Sequence, residues 1–252
     1  MTPNRDLPPR TGVARALSKL GFCSRLQAFE LVRNGRVRLN GRLVRDPETP
    51  VRLAKDKLEV DAVRVEPAKK IYLMLNKPRG VVTTASDERG RKTVYSLLPQ
   101  HQQWLAPVGR LDMASEGLLL LTNDSAWAAR IASPQAHVQK TYHVQIAFLP
   151  DQNLLDRLLK GVDSAREILE VKRATVLRTG AKNSWLQIIL DEGRNRHIRR
   201  MFEHLGIDVL RLVRVGIGPL QLGDLPKGKS RQLSRAEVEQ LRATGRTIMN
   251  KK

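Results

Sequence analysis

The sequence has few of the residues that several common kinds of site require. Cys23 is the only cysteine, which excludes an intrachain disulfide and a zinc site built on cysteines. The five histidines are scattered, and none is spaced from another histidine or from the cysteine as metal ligands are. We therefore predict no bound metal, and we expect Cys23 to be a small buried apolar residue.

The sequence also lacks the patterns of a membrane-spanning helix, a signal peptide, a dinucleotide-binding enzyme and a serine hydrolase. No apolar run approaches the ~20 residues that a membrane-spanning helix needs, and the polar start of the chain has no apolar signal-peptide centre. The sequence contains neither a dinucleotide-type glycine fingerprint nor a G-x-S-x-G nucleophile elbow. We expect a soluble cytoplasmic protein.

Acidic residues are scarce relative to basic ones. The 252 residues include 45 Lys and Arg against 25 Asp and Glu, which gives a formal net charge of +20. Because each phosphate contact releases counterions, this excess indicates a polyanionic partner, with nucleic acid as the first candidate and an anionic membrane surface as the second. A hydrophobic content of 41% is ordinary for a chain that buries a core in one large or two modest domains.

The positive charge is concentrated near the N-terminus. Residues 10–45 contain nine Arg or Lys and a single acid, Glu30. Arg25, Arg36 and Arg38 fall on a predicted helix and the hairpin beside it, where they would share one basic face. A charge run is often only a solvated surface, but the near absence of acids favours phosphate binding here.

This basic segment has the pattern of a small RNA-binding domain. Ser24 can cap a helix whose apolar side carries Leu26, Phe29, Leu31 and Val32, and Asn40-Gly41 is a two-residue hairpin signal. Gly21–Arg25 and Gly35–Gly41 resemble the Gly-x-x-SR and G-x-V-x-V-N-G stretches of the S4-type domain, named after a small-subunit ribosomal protein. The resemblance covers residues 12–60 and implies binding of structured RNA through shape and phosphate contacts.

The rest of the chain predicts a second, larger domain. We expect residues 1–11 to be disordered, a linker over 61–70, the large domain over 71–245 and a basic tail over 246–252. Strands, including one at Val81–Thr84, and helices mix without regular βαβ alternation. We therefore predict the α+β class, with a mixed, mainly antiparallel sheet flanked by helices.

The stretch around which the large domain is organised is a nine-residue loop, Gly109–Gly117, followed by four leucines. Leu118–Leu121 between polar ends predict a short strand that is buried on both faces. The loop carries Arg110 and Asp112, and a loop held at the mouth of a buried strand is a common place for reactive side chains. Taken alone, the same residues are more typical of a solvated surface turn.

Four motifs in order resemble those of the RsuA-type ribosomal RNA pseudouridine synthases. They are Asn76–Gly80, Gly109–Asp124, Lys140–Tyr142 and Glu192–Met201. Their order and spacing both match, and with the N-terminal domain the resemblance covers nearly the whole chain. Because the motifs, their order and the N-terminal domain all agree, a purely structural role for Asp112 is disfavoured.

The resemblance implies site-specific isomerisation of uridine to pseudouridine in ribosomal RNA, and we favour the large-subunit RNA. The family's reaction detaches uracil from C1′ of its ribose and reattaches it through C5, with no cofactor and no metal. The implied partner is ribosomal RNA or a pre-ribosomal particle in bacterial ribosome biogenesis; no membrane is involved, and a monomer is the default expectation. Small-subunit RNA, transfer RNA and a non-catalytic RNA-binding or ribosome-assembly role stay open as alternatives.

The resemblance also implies catalytic roles for Asp112, Tyr142 and Arg199. Asp112 is the essential carboxylate, which either attacks C1′ or acts in elimination to a glycal. Arg199 matches the family's arginine that pairs with this carboxylate and favours its ionised form. Tyr142 would lie against the flipped uracil and help to remove the C5 proton, or it could be a core residue with a bonded hydroxyl.

The remaining predicted site residues bind the base or the RNA. Arg110 would fill the space that the flipped base leaves, and Leu111 and Ile198 would form walls of the base pocket. Lys77 either closes a turn or touches a phosphate. The other arginines predicted to contact RNA are Arg25, Arg36, Arg38, Arg194, Arg196 and Arg200.

Overall fold

The computed structural model describes residues 10–85, 87–99, 103–164 and 167–244. They divide into a first unit built on the chain up to Ile71 and a second unit built on most of the chain from Tyr72 onward. The terminal segments that were predicted to be disordered or tail-like fall almost wholly outside the described residues. Within the described ranges, no helix has the length and apolar character needed to cross a membrane.

The described part of the first unit consists of two helices and six short strands. The helices are α1 (Val13–Lys19) and α2 (Arg25–Arg33). The strands are β1 (Thr11–Gly12), β2 (Val37–Leu39), β3 (Arg42–Val44), β4 (Pro50–Val51), β5 (Leu58–Val60) and β6 (Val63–Arg64). Strand β1 pairs with β4, and the other four form a sheet in the order β3-β2-β5-β6. All of these pairs are antiparallel.

Helix α2 begins as predicted and buries part of the predicted apolar side. The Ser24 side chain accepts a hydrogen bond from the backbone of Gln27, whose side chain bonds back to Ser24 in a capping box. The predicted apolar side is confirmed for Val32, which is buried, and for Leu31, which packs against the core. It is wrong for Leu26, which is 70% exposed, and for Phe29, which is 38% exposed. Residues four apart share a helix face, and the smaller pair at positions 28 and 32 is the one that faces the core.

The predicted hairpin is confirmed, and the first unit is longer than predicted. Asn40 and Gly41 both have positive φ, 52° and 80°, as a tight two-residue turn requires. Strand β6 pairs with β5, and Val65 is buried in the same core. The predicted linker, 61–70, therefore starts too early, because its first residues complete the small sheet.

Cys23 is buried in the core of the first unit, as predicted. Burial raises the pKa of its thiol to about 11. The thiolate is therefore disfavoured near neutral pH, and Cys23 acts as a small apolar residue.

The rest of the described chain contains a further eleven strands and four α-helices. The strands are β7 (Tyr72–Lys77), β8 (Ala106–Val108), β9 (Glu116–Thr122), β10 (Lys140–Ile146), β11 (Val162–Asp163), β12 (Ile168–Leu169), β13 (Arg173–Thr179), β14 (Ser184–Leu190), β15 (Val209–Ile217), β16 (Leu220–Gln221) and β17 (Ser230–Gln232). The helices are α3 (Ser125–Ala132), α4 (Gln152–Lys160), α5 (His197–His204) and α6 (Arg235–Ala243), with 3-10 turns at Val94–Leu97 and Pro134–Ala136.

Nine of these strands form one mixed sheet within the described residues. The main path is β13-β14-β10-β15-β9-β7-β17, with β16 added on β15 and β8 on β9. Strand β10 is antiparallel to both of its neighbours, whereas β9 and β15 are parallel. The predicted α+β class and the mainly antiparallel sheet are confirmed.

Strand β9 forms part of the core of this sheet. All seven of its residues are buried, which confirms the prediction for Leu118–Leu121. Leu118 and Leu120 belong to a core cluster with Trp127 and Ile131 of α3 and with residues of α6. The strand is therefore fixed on several sides, and so is the C-terminal end of the loop that precedes it.

Two local patterns do not form the structures that they suggest. The strand predicted at Val81–Thr84 is reduced to an isolated bridge between Val82 and Thr93. The segment Gly223–Ser230 has the letters of a phosphate-binding loop, G-x-x-x-x-G-K-S, but it connects β16 to β17. A phosphate-binding loop runs from a strand into a helix N-terminus, so this segment lacks the required context.

Candidate active site

Seven of the predicted site residues line one cavity of about 290 Å³ in the second unit, namely Arg110, Leu111, Asp112, Tyr142, Arg194, Arg196 and Ile198. Asp112 comes from the loop between β8 and β9, and Leu111 lies next to it. Tyr142 comes from β10 and Ile198 from α5. Leu111, Tyr142 and Ile198 are buried, whereas Asp112 is partly exposed. The cavity thus combines one carboxylate with apolar and aromatic walls.

Arg110 lies between this cavity and a second one. Its exposed side chain contributes to the walls of both, together with Leu111 and Asp112. The second cavity is also lined by Thr83, Arg89 and other residues of the segment after β7. A guanidinium at this position can reach either side of the Asp112 loop.

Lys77 holds the Asp112 loop through hydrogen bonds from its buried amine. Its side chain is fully buried, and Nζ donates to the carbonyl oxygens of Pro78 at 3.1 Å, Asp112 at 3.1 Å and Ser115 at 2.8 Å. Burial lowers the pKa of this amine to about 8. Of the two alternatives predicted for Lys77, this geometry favours closing a turn over contacting a phosphate, because three carbonyl acceptors surround the buried amine.

Three further donors complete the attachment of the loop. Thr83 Oγ1 donates to the carbonyl of Leu111 at 2.8 Å, and the Gly80 amide donates to Met113 at 2.8 Å. Arg199 Nη2 donates to the carbonyl of Ala114 at 2.9 Å. Together with Lys77, these groups bind all five consecutive carbonyls from residue 111 to 115. The Asp112 backbone is therefore fixed, and its carboxylate has no hydrogen-bond partner among the described residues.

Arg199, which was predicted to pair with the Asp112 carboxylate, interacts with it through charge and bonds to the backbone of the loop. Arg199 Nη1 lies 3.4 Å from the carbonyl oxygen of Val209. Among the described residues, no hydrogen bond joins Arg199 to the carboxylate of Asp112. Burial and the charge of Arg196 lower the pKa of Arg199, and the charge of Asp112 opposes that shift. Arg199 therefore positions the loop and interacts with Asp112 only through charge.

The arginines of the α5 motif differ in their availability. Arg194 pairs with Glu167 and Glu192, each at 2.7 Å. Arg200 pairs with Glu167 at 2.8 Å and with Ser164 Oγ at 2.6 Å. These two side chains are thus engaged within the protein, and their contact with RNA stays a prediction. Arg196 is exposed, lines the Asp112 cavity and has no ion-pair partner among the described residues.

The basic face of the first unit is also partly neutralised. Arg36 forms a two-point ion pair with the carboxylate of Asp61. Arg38 is exposed and donates to the backbone of Gly41, while Arg25 is exposed at the start of α2. Of the three arginines predicted to contact phosphate, Arg36 thus has a carboxylate partner, whereas Arg25 and Arg38 form no ion pair among the described residues.

Arg214 is a cavity residue that the sequence motifs did not reveal. It lies on β15 directly opposite Tyr142, is buried, and lines the cavity together with half-buried Lys140. Its position is shaped by Gly117, because a Cβ atom on that glycine would lie 2.2 Å from the carbonyl oxygen of Arg214. The sequence signal that could have revealed Arg214 is its place at an inward-facing position of β15, a strand whose residues alternate in burial.

The arrangement supports chemistry that depends on a single carboxylate. A fixed backbone with an unpaired carboxylate suits either nucleophilic attack or proton removal. Within the described ranges, no group of three His, Cys, Asp or Glu side chains is arranged to hold a metal ion. The nearby cations and the apolar walls suit a planar, polar ring such as a nucleobase.

Comparison with known proteins places this chain in an RNA-modifying class. Residues 71–204 match the model of the RNA pseudouridylate synthase family, and residues 13–58 match the S4 domain. A crystal structure of a pseudouridylate synthase aligns with a TM-score of 0.62 at 30% identity, covering 92% of this chain and 99% of that one. The chain belongs to the RNA pseudouridylate synthase family.

Two bacterial relatives are similar over almost their whole length. Ribosomal large subunit pseudouridine synthase B of Bacillus subtilis is 36% identical over 231 residues, which cover 91% of this chain and 94% of the relative. An uncharacterised RNA pseudouridine synthase of Aquifex aeolicus is 37% identical over 230 residues, which cover 91% and 92%. The protein is thus an isomerase that converts uridine in RNA to pseudouridine, and the family predicted from the sequence motifs is confirmed.

Proposed function

We propose that the protein converts a specific uridine of large-subunit ribosomal RNA to pseudouridine, with Asp112 as the essential carboxylate. The observation that carries the proposal is the attachment of the Asp112 loop, whose five consecutive carbonyls accept hydrogen bonds from surrounding groups. This attachment fixes the carboxylate on the wall of a cavity that also contains Tyr142. A reacting group held in this way needs little reorganisation during the reaction.

The target base would enter the cavity by flipping out of the RNA. A base inside folded RNA is inaccessible to a carboxylate, so it has to be extruded before the sugar can react. Arg110 is exposed and borders two cavities, so its guanidinium can occupy the space that the base leaves. A planar guanidinium both stacks and donates hydrogen bonds, which suits this role.

In the cavity, the uracil would be held between apolar walls. Leu111 and Ile198 provide two of these walls, and the buried ring of Tyr142 provides an aromatic one. Asp112 then either attacks C1′ or removes a proton from the sugar, after which C5 of the rotated base bonds to C1′. Tyr142 is the group beside the base that could assist loss of the C5 proton.

The choice of ribosomal RNA rests on the first unit and on the named relative. The Bacillus subtilis protein is named for the large ribosomal subunit, and S4-type domains are RNA-binding modules. Exposed Arg25 and Arg38 offer phosphate contacts on that module. We propose a pre-ribosomal particle or its RNA as the partner, with the protein acting as a monomer.

The proposal is tested by mapping pseudouridine after incubation with separate large-subunit and small-subunit ribosomal RNA. We expect one modified uridine in the large-subunit RNA, no product with Asp112→Asn, and RNA binding by that variant within about threefold of wild type. Asp224→Asn, which changes an exposed aspartate, is the matched control and should retain full activity.

Each other outcome rejects a defined part of the proposal. Product formation by Asp112→Asn at the wild-type rate would remove Asp112 from the mechanism. Modification of small-subunit RNA alone would reject the substrate. Tight binding to ribosomal RNA with no pseudouridine in either RNA would favour a non-catalytic assembly factor.

A further inference from the structure

Buried polar atoms without a hydrogen-bond partner gather around the Asp112 cavity. Among the described residues, such side-chain atoms occur in seven residues, and three of these, Ser115, His197 and Arg214, line this one cavity. A buried polar group without a partner is costly, and native proteins contain few of them. A polar molecule that fills the cavity would supply the missing partners.

Arg214 is the charged member of this group, and its direction is fixed. The side chain is 5% exposed, and Nε donates to the carbonyl of Leu118 at 2.7 Å. Nη2 is buried and has no partner within the described ranges. Arg214 is the direct cross-strand neighbour of Tyr142, so their Cβ atoms are about 5 Å apart. Arg214 and Tyr142 both line the cavity.

No carboxylate forms an ion pair with Arg214 in the part of the chain that the structure describes. Two lysine amines lie close enough to feel the charge of Arg214. Burial and then the charge of Arg214 lower the pKa of Lys140, and burial together with the charge of Arg214 lowers the pKa of Lys77. A buried guanidinium among other cations creates a positive potential at this wall. The cavity is thus prepared for a ligand that carries or acquires negative charge.

We propose that Arg214 binds the uracil of the target nucleotide and stabilises the negative charge that the ring acquires when its bond to the ribose breaks. The inference rests on the proposed function and adds a catalytic residue to it. The burial of Arg214 favours the base over a backbone phosphate, because phosphates of bound RNA stay near the protein surface while the flipped base enters the cavity.

The charge arises from the bond that is broken. When the N1–C1′ bond breaks, its electron pair stays on uracil and spreads to the two carbonyl oxygens, one of which accepts a hydrogen bond from Nη2. At the same time C1′ either bonds to the Asp112 carboxylate or gains a double bond to C2′ as Asp112 takes the C2′ proton. When C5 then bonds to C1′, the carboxylate leaves or the proton returns to C2′. Finally C5 loses its proton and N1 gains one, so the reaction is an isomerisation without a co-reactant.

The test compares two substrates that differ in how easily the base leaves. Large-subunit RNA is prepared either with uridine or with 5-fluorouridine, whose ring is a weaker base and so depends less on Arg214. Cleavage of N1–C1′ is measured under single-turnover conditions as loss of the original nucleoside after digestion. The variants are Arg214→Met and Arg214→Lys, and the control is Arg178→Met on the exposed strand β13.

We expect Arg214→Met to slow cleavage of uridine about 100-fold, as removal of one preorganised donor does in other active sites. The loss with 5-fluorouridine should be about 10-fold or less, because the fluorinated anion needs less stabilisation. The cleavage rate of Arg214→Lys should lie between the rates of Arg214→Met and the wild type on both substrates, since lysine keeps the charge but not the direction of the donor. Arg178→Met should behave as wild type.

Several results would overturn the inference. Equal slowing on both substrates would mean that Arg214 only supports the fold. Weaker RNA binding with an unchanged single-turnover rate at saturation, and a salt dependence reduced by about one unit, would identify a phosphate contact. If Arg214→Met does not fold, the substrate dependence of Arg214→Lys decides between these results. Absence of product with the wild-type protein would reject the proposed function and the inference together, whereas failure of the Arg214 pattern alone leaves the proposed function intact.

Discussion

Lys77 Nζ donates a hydrogen bond to the carbonyl oxygen of Asp112 at 3.1 Å from a fully buried position on β7. The same amine also donates to Ser115, so one side chain joins two points of the loop that carries the proposed reactive carboxylate. The geometry of Asp112 is therefore set partly by a residue that does not line the Asp112 cavity. Both the stability of the protein and its activity should depend on this link between β7 and the loop.

Replacing Lys77 with Met should destabilise the protein and slow the reaction. The carbonyls of Pro78, Asp112 and Ser115 would lose their buried donor, which should lower the free energy of unfolding by about 2 kcal/mol or more. Displacement of Asp112 should reduce the single-turnover rate at least about 10-fold. Urea unfolding and the rate assay measure the two effects. Lys182→Met, at an exposed turn, is the control, and equal behaviour of the two variants would contradict the prediction.

The same lysine should give stability a particular pH dependence. Burial lowers the pKa of Lys77 from 10.5 to about 8, so between these values the unfolded chain holds a proton that the folded protein has released. The contribution of Lys77 to the free energy of unfolding should therefore rise as pH increases from about 8 toward 10.5. Urea unfolding at pH 7, 8 and 9.5 should show the difference between wild type and Lys77→Met growing with pH. A constant difference would mean that Lys77 does not titrate in this range.

Replacing Gly117 with Ala should separate β9 from β15. Gly117 has φ +103°, and an added Cβ would lie 2.2 Å from the carbonyl oxygen of Arg214, a backbone atom that no rotamer change can move. We expect a loss of about 2 kcal/mol or more in the free energy of unfolding, because strain in φ and a steric clash add together. Thermal or urea unfolding measures it. Gly193→Ala should be nearly neutral, since a Cβ there meets nothing within 4 Å.

The exposed arginines of the first unit should differ in their contribution to RNA binding. Arg25→Ala and Arg38→Ala should each weaken binding and reduce the slope of log affinity against log salt by about one unit. Arg36→Ala should change the slope less, because Asp61 already neutralises that guanidinium. Binding measured from low to moderate salt with large-subunit RNA tests this order. Equal slopes for the wild type and all three variants would show that the face is only solvated.

Sequence was sufficient where structure depends on neighbouring residues in the chain. The Asn40-Gly41 turn needs two positive φ values that Asn and Gly tolerate, and the cap of α2 joins residues three positions apart. The buried strand Leu118–Leu121 was predictable from its apolar run. The family was predictable from motifs in order, and the same motifs predict Asp112 as the essential carboxylate.

Only the tertiary structure decided which charged groups are available for function. Arg36 and Arg194 look in sequence like their neighbours Arg38 and Arg196, which form no ion pair with any other described residue. Each of the first two, however, meets a carboxylate about 25 residues away along the chain, Asp61 or Glu167. The burial of Lys77 and Arg214 likewise depends on strands brought together by the sheet. Sequence alone therefore determined the elements and the reaction class. Long-range packing determined the partners of each charge, because an ion pair or a buried donor depends on distances that chain order does not contain.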